Sequence, residues 1–152
     1  MSLTGDRAAV MWHEVRPEAK ADYYEWHNRE HMPERVGMPG FRRGRRYMAV
    51  DGQPKFFILH ETDSAATLTG AAYQLRLNNP TPLTRRNSAL LMNASRSLCR
   101  VAASLGTAQG GFIACNTAAA RCLALSDSKC SPEYTALLPG YEPAFVLWKQ
   151  CQ

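Results

Sequence analysis

The sequence predicts an α+β domain whose first hundred residues run strand, helix, strand, strand, helix, strand. Three observations predict it. Apolar stretches of strand length alternate with stretches of helix length rich in Ala, Glu and Arg. Turn residues punctuate them at Pro17, Pro39-Gly40, Asp51-Gly52 and Asn79-Pro80-Thr81-Pro82. Hydrophobic residues make up 45% and charged residues 20%, the mix of a globular chain rather than a disordered one.

Residues 8–16, AAVMWHEVR, are apolar and partly alternating, and Pro17 closes them; they read as the first strand. Residues 18–36 hold no Gly and carry Glu18 and Asp22 near the start, where the helix dipole favours acidic groups; they read as a helix. Pro33 is expected to end or kink it. Residues 41–50 form the second strand, Asp51-Gly52 a hairpin turn, and residues 55–62 a third strand apolar enough to be central. Asp63 or Ser64 caps a second helix over 65–79. Residues 83–94 carry no assignment, and 95–106 supply a further strand. The β-α-β-β-α-β order is the ferredoxin-like split βαβ. Right-handed crossovers place its first and third strands at the centre. Two helices cover one face of the sheet, and the other face is left for a partner or a ligand.

The C-terminal part is less regular. Gly110-Gly111 precedes a strand-like FIACNTA, and AFVLWKQ at 144–150 is another strand candidate, while 119–143 is mostly small and polar. Residues 1–106 are thus read as the ferredoxin-like unit. Residues 107–152 are read as a partial second repeat, or an arm packing on the same sheet or a partner's.

The formal charge is +5, from 18 basic and 13 acidic side chains. The one dense basic cluster is Arg42, Arg43, Arg45 and Arg46. Nucleic-acid binding would want further basic runs and stacking aromatics along a sheet, so the cluster reads as a solvated strand face with ion pairs to the acidic helix before it. No nucleic-acid partner is expected. No apolar run approaches the roughly 20 residues of a membrane helix, and MSLTGDRAAV lacks a signal-peptide pattern, so a cytoplasmic protein without membrane partners is expected. The five cysteines are Cys99, Cys115, Cys122, Cys130 and Cys151, odd in number and without C-x-x-C spacing. They fit small hydrophobes in a reducing compartment, and none has the partner of a thiol nucleophile.

The pattern Trp26, Glu30-His31, Pro33-Glu34-Arg35, Pro39-Gly40-Phe41 and Arg46-Tyr47 resembles the dimeric α/β-barrel superfamily, closest to its EthD-like and related bacterial proteins. Gly52-x-Pro54, His60-Glu61, Tyr73 and Pro80-Thr81 extend the resemblance over roughly residues 8–105. It implies two ferredoxin-like units facing each other through their open sheets, as a homodimer, with a pocket between each sheet and its helix ends. Relatives place oxygenase, isomerase, decarboxylase or haem chemistry there, so the fold alone does not fix a reaction.

All four histidines lie in the first sixty residues: His13, His27, His31 and His60. His27-Asn28-Arg29-Glu30-His31 is the H-x-x-E-H string of inverzincin proteases. Two imidazoles four residues apart share a helix face, but a catalytic zinc needs a third protein ligand, so no metal is assigned. The rival reading takes His31, alone or with His27, as an acid or base near the C-terminal end of the helix, where the dipole favours the imidazolium. A third reading has it hydrogen-bonded to the Pro39-Gly40 loop as a structural group. His13 and His60 lie on strands that the fold makes neighbours. On the open face they would flank a barrel interior as acid and base, but a one-residue slip reverses every side chain. Trp12, Trp26, Tyr47, Phe56 and Phe57 offer apolar walls or ordinary core. By period two, Arg43, Arg45 and Tyr47 share a face with Phe41, and Arg42, Arg46 and Met48 share the other. One set would hold an anionic group; the other would be solvated or paired with Glu30 and Glu34.

The sequence reading therefore takes His31, His13, His60 and Tyr47 as catalytic candidates. Trp12, Trp26, His27, Arg43, Arg45 and Phe57 are the ligand-binding ones. The expected ligand is a small aromatic or amphipathic molecule, with cofactor-independent oxygenase or isomerase-type chemistry as one outcome. A non-enzymatic assembly module is the alternative, and a zinc site at His27 and His31 the third reading. No P-loop, G-x-S-x-G or dinucleotide fingerprint is present, so no cofactor is expected.

Overall fold

The computed structural model describes residues 3–49, 53–101, 112–113 and 140–148. Strand β1 (Arg7–Val15) leads through a short 3-10 turn, Pro17–Ala19, into helix α1 (Lys20–Trp26). A π-turn, His27–His31, follows, and then α2 (Met32–Gly37). Strands β2 (Phe41–Ala49) and β3 (Phe56–Thr62) come next. Three short helices follow, α3 (Ala65–Thr69), α4 (Ala71–Asn78) and α5 (Pro82–Ser88), and then β4 (Leu91–Arg100). Two further strands are β5 (Phe112–Ile113) and β6 (Gly140–Trp148).

The sheet is antiparallel in the order β4-β1-β3-β2-β6-β5, so β1 and β3 lie together among the first four strands as predicted. The four-stranded part with its helical cover is α+β and compatible with a ferredoxin-like fold. Strand β6 extends it by pairing with β2 from Arg43 opposite Trp148 to Ala49 opposite Tyr141. Among the described residues no helix is long and apolar enough to cross a membrane.

Three local differences from the sequence reading have physical causes. The first helix does not end at Pro33. It widens into the π-turn just before, and Pro33 enters the first turn of α2, where its missing N–H costs nothing. The predicted helix over 65–79 is broken at Gly70, whose backbone is extended and begins α4. The unassigned stretch 83–94 supplies most of α5 and the start of β4. There Thr81 caps α5 by accepting a hydrogen bond from the Thr84 N–H at 3.0 Å. The last strand of the first unit is Leu91–Arg100 rather than 95–106, and the late strand begins at Gly140, earlier than expected. The loop at 119–139, the continuation of FIACNTA and four of the five cysteines lie outside the described residues. Cys99 is half-buried and packs against the sheet.

The sheet separates two clusters of side chains. On its helical side, Val15 and Phe56 pack under Tyr23 and Trp26 of α1, and Phe41 meets Leu68 and Tyr73. On the far side, Val10, Trp12, Tyr47, Phe57 and Leu59 form a second cluster with Leu3 against it. Gly44 of β2 lets α2 come close: a Cβ there would meet the Met32 methyl at 2.8 Å and the His60 ring at 3.2 Å.

Candidate functional site

Between the helices and the sheet lies a cavity of about 410 Å³. All four histidines of the chain line it. Their convergence follows from strand pairing and the π-turn. Ala9 stands opposite His60 and His13 opposite Phe56, so the two strand histidines sit on the same, helical side of the sheet. The face of His13 and His60, which the sequence leaves open, is the helical one: the parity of β1 and β3 turns both side chains under the helices. The π-turn brings in the other two, with ring centres 5.5 Å apart for His27 and His31 and 6.4 Å for His31 and His60. Trp26 lies 4.7 Å from the His31 ring and Tyr23 5.1 Å from that of His27.

Two imidazoles are held by hydrogen bonds. His13 Nε2 meets the Tyr23 hydroxyl at 2.9 Å. Arg46 donates to His27 Nδ1 at 3.2 Å and to Asn28 Oδ1 at 2.7 Å, which leaves the His27 proton on Nε2. Three other ring nitrogens, His13 Nδ1, His31 Nδ1 and His60 Nε2, are buried without a hydrogen-bond partner. Such groups are costly unless something else satisfies them.

Burial, reinforced by nearby arginines, keeps this set uncharged. Desolvation first, and then Arg46, lowers His13 to about 4. Desolvation, with Arg35 and Arg96 behind it, lowers His60 to about 3. His27 and His31 are likewise held well below the ordinary imidazole range, chiefly by burial. Burial also pushes the Tyr23 phenol up. The expectation of an imidazolium at His31 is thus corrected. The residue sits in the middle of the helical stretch rather than at its end, under the field of Arg35. At neutral pH the cavity offers four uncharged imidazoles, each one donor and one acceptor.

Glu30, the acidic member of the H-x-x-E-H string, serves the fold. Its Oε1 accepts from the Thr81 hydroxyl at 2.5 Å and the Thr84 hydroxyl at 2.8 Å, and the Trp26 indole N–H reaches Thr84 Oγ1 at 3.0 Å. The clamp ties the π-turn to the first turn of α5 and forms part of the cavity wall. Among the described residues no group of three or more His, Cys, Asp or Glu side chains is arranged to hold a metal ion.

The remaining candidates lie on the far side of the sheet. Trp12 packs on Phe57 with ring centres 4.9 Å apart, and Phe57 on Tyr47 at 5.9 Å. Arg43 donates to the buried Glu61 carboxylate at 2.5 Å, Arg45 stands 3.6 Å from it, and the Thr4 N–H donates at 2.9 Å. Arg45 also donates to the Tyr47 hydroxyl at 2.9 Å. Of the named candidates, the structure brings His13, His27, His31, His60 and Trp26 to the cavity; Trp12, Arg43, Arg45, Tyr47 and Phe57 do not line it. A register shift between Phe41 and Arg43 separates Phe41 from these arginines and puts it on the helical side. The basic cluster is not a solvated face either. Arg43, Arg45 and Arg46 are buried, and only Arg42 is exposed, paired with Asp63. Glu34 pairs with Arg76 instead.

Sequence alone does not single out Tyr23 or Arg96 for the site, names Tyr73 only within the family pattern, and offers Arg35 only there and as a neighbour that opposes or satisfies His31. No spacing rule joins Arg35 to Tyr73 or Arg96; only the fold brings them together. Comparison of the chain with family models, curated proteins and solved structures gave no match.

Proposed function

We propose that this chain binds a small aromatic or amphipathic molecule in the cavity between helix and sheet, as an EthD-like member of the dimeric α/β-barrel superfamily. The observation that carries the reading is the convergence of all four histidines on one cavity of about 410 Å³, within the roughly 300–1,000 Å³ range of small-molecule sites. The Trp26 and Tyr23 rings supply apolar walls. The unpartnered nitrogens of His13, His31 and His60 supply polar groups that a ligand can satisfy.

His31 is the first candidate for proton transfer, with His60 and His13 beside it. Imidazoles held this far below neutrality are weak bases when the cavity is empty. They act first as hydrogen-bond donors and acceptors that orient a ligand, and gain basicity only if the ligand brings negative charge near them. Such a site suits cofactor-independent oxygenation or isomerisation of an enolisable aromatic compound. Tyr47, on the far side of the sheet, is left out of this assignment.

The test is a calorimetric screen of aromatic acids and lactones against the wild-type chain and the His31→Ala and His60→Ala variants. Oxygen uptake and product NMR follow for every binder. Binding that both variants weaken at least about tenfold, a loss of about 1.4 kcal/mol, is expected. Binding unaltered in both variants refutes the reading. Pairing of two copies is a separate part of the proposal. The far-side cluster is already buried within one chain, so the cavity does not depend on a partner. Light scattering is expected to give twice the 16.9 kDa chain mass, and a monomer refutes that part alone.

A further inference from the structure

We infer that the cavity takes its ligand as an aromatic carboxylate, whose anionic end is received by Arg35 and Arg96 beside Tyr73 and whose ring lies toward Trp26 and the histidines. The inference deepens the proposed binding function and rests on it.

Two observations carry it. The first is the charge of the lining. Arg35, Arg76, Arg85 and Arg96 line the cavity, and no Asp or Glu does among the described residues. With the imidazoles neutral, the fixed charge of the wall is positive throughout. The second is the state of Arg35. The residue is only 6% exposed, and its Nη1 is buried with no hydrogen-bond partner. Its guanidinium carbon lies over the Tyr73 ring, 5.5 Å from the centre. That of Arg96 lies over the same ring at 5.6 Å, with Nη2 donating to the Tyr73 hydroxyl at 2.5 Å. Glu34, the nearest carboxylate on the same helix, is engaged with Arg76 at 3.4 Å.

Two guanidiniums gathered on one aromatic ring repel each other, and a buried unpaired N–H carries the full cost of desolvation. Stacking on Tyr73 offsets part of this. A planar carboxylate offsets the rest, because its two oxygens match the guanidinium fork and its charge cancels the repulsion. The lining behind this cluster is mainly apolar and aromatic, which fits the ring of an aromatic acid better than a compact, strongly hydrated anion such as phosphate. The bound carboxylate also brings negative charge toward imidazoles whose basicity the arginines suppress.

The experiment uses the full chain and three probes. N-Phenyl-1-naphthylamine is neutral and fluoresces in apolar cavities, so it reports the cavity itself. 2-Naphthoate and 2-naphthamide, similar in shape and different in charge, compete for it. The naphthoate is expected to displace the dye at a concentration at least about tenfold lower than the amide, as a charge-assisted hydrogen-bond pair requires. Arg35→Gln and Arg96→Gln are each expected to bring that preference down to about twofold or less while the dye still binds. Arg96 is exposed, so its variant keeps the test open if the buried Arg35 change prevents folding. Arg29→Gln, at an exposed surface pair with Glu25, is the control and keeps the preference. Dye binding with no preference for the naphthoate, or a preference that survives both variants, overturns this inference and leaves the binding function standing. Failure of dye and naphthoate alike to bind overturns both.

Discussion

Lowering the pH from about 7 to about 5 should remove roughly 4 kcal/mol of folding stability through His13 and His60 alone. In the folded chain they titrate at about 4 and about 3; in the unfolded chain each titrates at about 6.5. A depressed folded value means that the unfolded chain binds more protons below about pH 6.5, so stability falls as the pH falls. At about pH 5 an unfolded chain holds nearly one proton on each of these imidazoles. The folded chain holds about a tenth of one on His13 and almost none on His60. Integrating the difference gives about 2 kcal/mol for each residue over the interval. His27 and His31, also depressed, add in the same direction. Against a total stability of roughly 5–15 kcal/mol, such a loss is large enough to unfold a marginal domain. Urea unfolding followed by tryptophan fluorescence at the two pH values measures it. His60→Leu, which has no proton to gain, should recover about 2 kcal/mol of the pH-dependent part, whatever it does to stability at neutral pH. Stability that differs by less than about 1 kcal/mol between the two conditions would refute the claim that these imidazoles are buried and neutral.

Further outcomes follow from single contacts. Glu30→Ala takes away the acceptor of the Thr81 and Thr84 hydroxyls, while the Trp26 indole N–H keeps Thr84 Oγ1, at a cost of about 1–3 kcal/mol in urea titrations. Glu61→Gln takes away the charge that Arg43, Arg45 and Thr4 share on the far side of the sheet. A loss of about 3–5 kcal/mol is expected, with dye binding in the cavity retained wherever the variant stays folded. Gly44→Ala forces a methyl group against Met32, Val36 and the His60 ring, so it should lower stability by about 1–3 kcal/mol and weaken ligand binding. Thermal melts and the dye titration together read both effects.

Much of the fold is legible in the sequence because it is written in short-range signals. Pro17, Pro39-Gly40 and the Asn79–Pro82 turn each mark a real boundary. The apolar run FFIL marks β3 between two neighbours. What escapes is structure set by longer-range balance. Nothing in ATLTGAAYQ states that Gly70 will leave the helix rather than bend it, because its N–H makes the ordinary bond to the Ala66 carbonyl, at 2.7 Å, and only its extended ψ separates α3 from α4. Stretch 83–94 lacks a hydrophobic period because α5 is held largely by polar contacts, through Glu30 and the capping Thr81, rather than by an apolar stripe.

The site was legible in its residue types and illegible in its geometry, and the reason is parity. The four histidines stand out by number and position, but β1 and β3 carry apolar residues on both faces, and an alternation that is apolar throughout does not say which side is up. On β2 the extra residue between Phe41 and Arg43 shifts the count by one, so period two groups Phe41 with arginines that lie across the sheet from it. The consequence is chemical. Arg43 and Arg45 meet Glu61 on the far side, where their charge is neutralised within the protein. Arg46 is turned instead under α1, where it bonds His27 and lies 4.8 Å from the Tyr24 ring. Ordinary alternation thus divides the basic run into an internally paired half and a member that donates to His27, while the bulge decides only that Phe41 lies on the side of Arg46. Deleting Arg42 should therefore remove the bulge and leave Arg43 and Arg45 on the far side and Arg46 under α1, because Phe41 and Arg43 would still pair with Thr62 and Glu61 in ordinary alternation.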